Sequence, residues 1–218
     1  MKKFAETPEA VIEVSIKKRS RSVGDRPRAF SLSVSSPSLE CLGLADHPGY
    51  KEPKDEAGIK AWNKEWRAYN KLELKIQRTG FNDEVSEIIS EAIGRKIDLV
   101  NAQFSRYAGC SCPCSPGFIL RDEDKKRIKE PYNTTYSIWI TIHLKTAENK
   151  ALLTDKLAHT AKELAENEAG VEVLRDRLVE DLPIETLEEV VKEMKASIHR
   201  QKHFVELIDA TEAILAKL

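Results

Sequence analysis

A chain of 218 residues, 41% apolar and 33% charged, is long enough to bury a core without disulfide or metal staples and too apolar for a disordered segment. No apolar run approaches the ~18 residues that span a bilayer, and Met1-Lys2-Lys3-Phe4-Ala5-Glu6 lacks the apolar stretch of a secretory signal, so no membrane contact and a cytoplasmic location are expected. The net charge of −1 hides a division: residues 1–150 carry 26 Lys and Arg against 21 Asp and Glu, a net +5, whereas residues 151–218 carry 9 against 15, a net −6.

Two alternating segments come first. Ile12, Val14 and Ile16 alternate with Glu13, Ser15 and Lys17, and Phe30, Leu32 and Val34 alternate with serines. Period two with one polar side predicts half-buried strands, expected to pair as a hairpin that reverses near Gly24-Asp25. Residues 38–55, with Pro48, Gly49 and Pro53, read as loop. Ile59, Trp62, Trp66 and Tyr69 then recur at helical spacing, while residues 71–78 fit either a strand or a continuation of that helix. Asn82 is a candidate cap for a helix lined by Val85, Ile88, Ile89, Ala92 and Ile93, with Gly94 near its end.

Residues 97–105 look strand-like, and residues 136–145 form the clearest strand, with Ile138, Ile140, Ile142 and Leu144 on one side. From residue 147 the period becomes helical. Leu153, Leu157, Ala161 and Leu164 form a stripe that Gly170 is expected to break, and a short helix over 171–180 ends before Pro183. The last helix, about 184–217, carries Leu187, Val191, Met194, Ile198, Val205, Ile208 and Leu215 as a heptad seam interrupted by Gln201 and Glu212. This seam has to bury itself, on the preceding helix or on another copy of the chain, so a homo-oligomer is expected. The fold class is α+β: a small, mostly antiparallel sheet with two helices over residues 1–146, then a helical, coiled-coil-like segment over 147–218.

Three constellations carry chemistry. Cys110, Cys112 and Cys114 lie within five residues of one another. With Cys41 or a histidine as a fourth ligand they are candidates for zinc or another thiolate-bound metal. Their single-residue spacing is tighter than zinc loops usually use, and small residues packed into a tight loop explain the cluster equally well. A nucleophilic cysteine needs a base, and His143 reaches the cysteines only if their flanking strands pair with its own. His199 and His203 share one helix face, but Arg200 and Lys202 between them disfavour a bound cation.

The basic segment is the third. Lys17, Lys18, Arg19, Arg21, Arg26 and Arg28 place six cations against one anion on the connection between the first two predicted strands. Charge guards exposed sheet edges, but one or two lysines suffice for that. Arginine forks match phosphate and carboxylate oxygens. The sequence contains no phosphate-binding, dinucleotide-binding, nucleophile-elbow or kinase motif and nominates no catalytic residue. The expected function is therefore that of a non-enzymatic binding protein. The basic segment would engage nucleic acid or an acidic protein surface, and the helices would associate. The alternatives are an assembly protein that contacts neighbouring subunits and a cysteine-metal enzyme.

Overall fold

The computed structural model describes residues 2–20, 30–49, 51–94, 96–105, 117–121, 134–179 and 183–218. In chain order they form β1 (Lys2–Glu6), β2 (Ala10–Ser20), β3 (Phe30–Ser35), α1 (Glu56–Thr79), α2 (Asp83–Ile93), β4 (Asp98–Ser105), β5 (Gly117–Arg121), β6 (Thr134–Leu144), α3 (Ala147–Arg177) and α4 (Ile184–Leu215). The class is α+β. The chain divides into two compact units, Met1–Thr146 and Ala147–Leu218.

The first unit is organised by β6. Its Ile138, Ile140 and Ile142 are all fully buried, and such a strand needs partners along both edges. It takes the second-to-last place in a four-stranded sheet of order β1-β2-β6-β3. β1 pairs with β2, and β2 with β6, in antiparallel fashion, and β3 runs parallel to β6. The expected β2–β3 hairpin is therefore corrected: β6 lies between the two strands, and the sheet is mixed. The preference of the three isoleucines for an interior position outweighs the sequence-local pairing. Nine residues, 21–29, are also more than the ~2–5 that close most hairpins. They are ample to cross one strand, since neighbouring strands lie only about 5 Å apart. β3, whose alternate positions are Ser31, Ser33 and Ser35, takes the edge.

One side of the sheet forms the core. Ala5, Ile12, Val14, Leu32 and the β6 isoleucines pack there with Leu39, Ile76, Val85, Ile89, Ile97 and Leu99. Local chemistry sets the covering helices. Asp55 caps α1, accepting from Gly58 N–H at 2.9 Å, and Asn82 caps α2, accepting from Val85 N–H at 2.9 Å. Gly94 ends α2 in the left-handed region at φ 72°, which glycine adopts without strain. The chain leaving α2 is held by that helix's own serines: Ile97 N–H donates to Ser90 Oγ at 2.8 Å and Leu99 N–H to Ser86 Oγ at 3.1 Å. This satisfies two backbone groups that burial would otherwise strand.

Residues 71–78 belong to α1, which runs unbroken to Thr79. Its Trp62, Trp66 and Tyr69 face the loop 38–55. Trp62 Nε1–H donates to Gly49 O at 3.2 Å, and His47 meets the rings of Trp66 and Tyr69 edge-on at 4.8 and 5.4 Å between centroids. β4 and β5 form a separate antiparallel pair with an irregularity between Asp98 and Gln103.

In the second unit Gly170 does not interrupt the chain, and α3 continues through it to Arg177, taking in most of the short helix expected over 171–180. A single glycine costs a helix about 1 kcal/mol, less than the packing of the flanking turns supplies. Six residues, 178–183, join helices of 31 and 32 residues that pack side by side, so the two must run antiparallel. On α3 the buried and half-buried positions include Leu153, Leu157, Thr160, Leu164, Asn167, Val171 and Leu174, and Leu178 just after the helix continues the series. On α4 they include Leu187, Val190, Met194, Ser197, Gln201, Phe204, Ile208, Thr211 and Leu215. Both series alternate spacings of three and four, the spacing that keeps one stripe facing a neighbouring helix.

Gly80, at the end of α1, tests this packing. A Cβ there would lie 2.9 Å from Ile140 Cγ2 and 3.3 Å from Ile142 Cδ1. Its φ of −73° is open to any residue, so the constraint is space and not backbone. Gly80→Ala is expected to destabilise the first unit by about 1–3 kcal/mol through overpacking. Urea unfolding followed by tryptophan fluorescence reads the change, and an unchanged midpoint would show that the isoleucines yield freely.

Candidate functional site

The sheet's lysines fall into two chemically distinct groups. Those on β1 and just after β6 are neutralised. Lys2 Nζ lies 2.8 Å from Glu13 Oε1, Lys3 Nζ 2.5 Å from Glu91 Oε2, and Lys145 Nζ 2.6 Å from Glu6 Oε1. At the end of the sheet where β6 begins, β2 runs out past the core. Lys17 pairs through the backbone with Ser137, Lys18 with Tyr136, Arg19 with Thr135 and Ser20 with Thr134. Lys17 and Lys18 are exposed, and neither forms an ion pair with a described residue.

β3 starts at this same end, with Phe30 paired to Tyr136. Ser20 and Phe30, the two ends of the connection that carries Arg21, Arg26 and Arg28, thus both abut the first residues of β6. Those three arginines lie outside the described residues. Lys18 Nζ sits 6.0 Å from the centroid of the half-buried Tyr136 ring, at the outer reach of a cation–π contact. This aromatic neighbour is invisible to local sequence reading, because 118 residues separate Lys18 from Tyr136. Recognising that β2 pairs with β6 would have been needed to find it.

The side of the sheet away from the core carries a second cluster. Glu13 lies between Lys2 and His143, whose Nε2 is 3.8 Å from Glu13 Oε2. His143 and then Lys2 draw the Glu13 carboxyl from its ordinary 4.5 down to about 2, against an opposing effect of burial. At 3.8 Å the imidazole is within ion-pair reach but beyond a good hydrogen bond, so the 2.8 Å Lys2 contact is the firmer partner; both act downward. His143 is 7% exposed, and the cluster's neighbours along β6, Trp139 and Thr141, are partly exposed.

The remaining candidates are placed as follows. Cys110, Cys112 and Cys114 lie outside the described residues, on the connection between β4 and β5. Cys41 is an exposed free thiol. Among the described residues no three metal-capable side chains converge. β6 pairs with β2 and β3, and β4 pairs with β5, so the strand pairing that would bring His143 to the cysteines is absent among the described strands. His199 and His203 are exposed on α4. Of the α4 seam, Leu187, Met194, Ile208 and Leu215 are half-buried, whereas Val191, Ile198 and Val205 remain 38%, 49% and 42% exposed. No helix among the described residues is long and apolar enough to cross a membrane. Comparison with family models, with curated proteins and with solved structures gave no match.

The Glu13 cluster yields a pH prediction. Its folded pKa is depressed, so its contribution to stability is full above about 4.5 and is lost as pH falls through about 2. Glu13→Gln should lower unfolding free energy on the order of 1–3 kcal/mol near neutrality, and the gap from wild type should close towards pH 2. Urea titrations at a series of pH values measure it; a gap independent of pH would mean that the ionised carboxylate is not what the sheet uses.

Proposed function

We propose that this chain is a non-enzymatic binding protein that engages nucleic acid through the cationic end of its sheet. The observation that carries the reading is a contrast among the sheet's lysines. Lysines on β1 and just after β6 each meet a carboxylate, whereas Lys17 and Lys18 meet none among the described residues. Exposed cations that no described carboxylate neutralises repel one another, so an external anion is a natural complement. The residues that continue from them, Arg19, Arg21, Arg26 and Arg28, add four more charges between two strand ends fixed on the same rim.

The chemistry of this rim suits phosphates. Lysine neutralises a phosphate as a point charge and arginine as a fork. Tyr136 beside Lys18 supplies an aromatic ring of the kind on which bases stack in single-stranded complexes. A two-strand hairpin entering a groove is not available, because β6 separates β2 from β3. The broad rim of a mixed sheet fits a backbone-tracking mode better than base readout in a major groove.

Binding of labelled duplex DNA, single-stranded DNA and single-stranded RNA to the full chain tests the proposal. Affinity should fall linearly on a log–log salt plot, with a slope of roughly 0.7–0.9 per phosphate contacted. The double variant Lys17→Glu, Lys18→Glu should lose more than about tenfold in affinity and reduce the slope by about two. Both residues are exposed, so its melting temperature should match the parent's. Binding that ignores salt, or survives the double variant, rejects the reading. Retention of an acidic polypeptide without any nucleic acid would transfer the same rim to an acidic protein partner.

A further inference from the structure

The helical unit presents an apolar face that its own hairpin leaves uncovered. Ile184, Val191, Ile198 and Val205 are 73%, 38%, 49% and 42% exposed, and they recur every seven residues along α4. Seven-residue spacing keeps all four on one ridge, flanking the half-buried Leu187, Met194, Gln201 and Ile208. Near the α4 N-terminus this ridge opens into a hollow of about 480 Å³ lined by Ile184, Leu187 and Val191, with Glu188, Lys192 and Lys195 around it. The hollow between α3 and α4 that Glu163, Glu166, Asn167 and Arg200 help to line, along with Leu174 and Phe204, is more polar.

Counted by position, α4 has three inward-type residues in every seven: Leu187, Val190 and Val191, then Met194, Ser197 and Ile198, then Gln201, Phe204 and Val205. Two per seven is enough for a pair of helices; three per seven is the pattern of a helix with two helical neighbours. Within the chain α4 packs along α3, which accounts for the Val190, Ser197, Phe204 series, and the third series is left over.

We propose that the leftover ridge is covered by a second copy of the chain, with two hairpins forming a two-fold four-helix bundle in which α4 of each copy lies against α3 of the other. An axis parallel to the helices makes every neighbouring pair antiparallel, as the dipoles prefer. It also sets each level of one hairpin against the same level of the other, and Gln201 Nε2, which donates to Glu168 at 3.1 Å, marks one such level. Val205 then falls at the height of Ala161 and Ala165, two exposed small residues on α3, so a β-branched ridge meets an alanine ridge. Lys195 falls within a turn of Glu172, an opposite charge.

The size is adequate. Ile184 to Val205 spans ~32 Å at 1.5 Å per residue, and two helices are ~20 Å wide, so roughly 600 Å² per copy and 1,200 Å² in total is buried, at the lower bound for a specific dimer. This inference stands apart from the nucleic-acid reading and uses none of its residues.

Sedimentation equilibrium of the full chain is the test. The wild type is expected at twice 24.7 kDa. The variant Ile198→Lys, Val205→Lys should run at the monomer mass with unchanged far-ultraviolet helix signal, a rise in dimer Kd of at least about 100-fold from charge placed in a buried ridge. Ala161→Arg, on the receiving ridge of α3, should do the same. Val173→Lys should stay dimeric, because Val173 is exposed away from this face. A monomeric wild type at high micromolar concentration overturns the proposal, as does a stripe variant that keeps the dimer mass. Dissociation by Val173→Lys also overturns it. A dimer that tolerates Ala161→Arg but not the stripe variant overturns the α3–α4 arrangement in favour of α4 on α4.

Discussion

The first unit depends on the burial of Ile138, Ile140 and Ile142 in the middle of β6. Three fully buried isoleucines on alternate positions of one strand represent roughly 5–9 kcal/mol of apolar burial, more than any local turn preference. That strand takes a place with a partner on each edge, and the remaining features follow from this. β2 is drawn out to eleven residues because it pairs along the whole of β6. β3 is displaced to the far edge and runs parallel. The last residue of β2 and the first of β3 both pair with the opening residues of β6, and so the densest cationic stretch of the sequence begins and ends on one rim. The close seat of Gly80 against Ile140 belongs to the same constraint: α1 ends where the isoleucine surface begins.

The second unit follows a different rule. Nothing in it resembles the isoleucine strand; its interior positions include Thr160, Asn167, Ser197, Gln201 and Thr211 beside leucines and valines. A hairpin with so many polar interior groups buries little apolar area per turn. Leaving Ile184, Val191, Ile198 and Val205 in water in addition would forfeit much of what the sequence has available. The polar residues do give a single register: Gln201 reaches Glu168 only when the two helices are aligned as they are. A weakly apolar hairpin with a defined register and an uncovered β-branched ridge is a coherent design for a half-bundle.

Much of this architecture was legible in the sequence where the signal is local. The caps Asn82 and Gly94, the helix over Ile59–Tyr69, the alternation in β6 and the helical period after residue 147 all have short-range causes, and the structure has them. Residues 71–78, open between strand and helix, and Gly170, expected to break its helix, both lie within continuous helices and show helical packing overriding local propensity. What was not legible is long-range. The insertion of β6 between β2 and β3 joins residues more than a hundred positions apart, and with it came the partners Tyr136 for Lys18 and His143 for Glu13. The nine-residue connection was the one available hint, being long for a hairpin. In α4 the seven-residue recurrence was visible, but not which of two adjacent ridges would face α3. Val190 and Val191 are chemically alike, and only the packed hairpin distinguishes them, at 1% and 38% exposure.

The division of charge then gains a physical meaning. In the first unit, which carries +5 over residues 1–150, Lys2, Lys3 and Lys145 each meet a carboxylate, whereas Lys17 and Lys18 meet none among the described residues. The acidic helical unit carries −6 over residues 151–218. In the nucleic-acid reading proposed above, a polyanion is repelled by an acidic surface and drawn to a cationic one. In the reading proposed above, self-association through α4 doubles the rims per particle. A few phosphate contacts at each rim, weak alone, combine when one nucleic-acid strand reaches both, because the second contact forms at the effective concentration set by the first. In that reading the acidic unit acts on binding through valency and through repulsion.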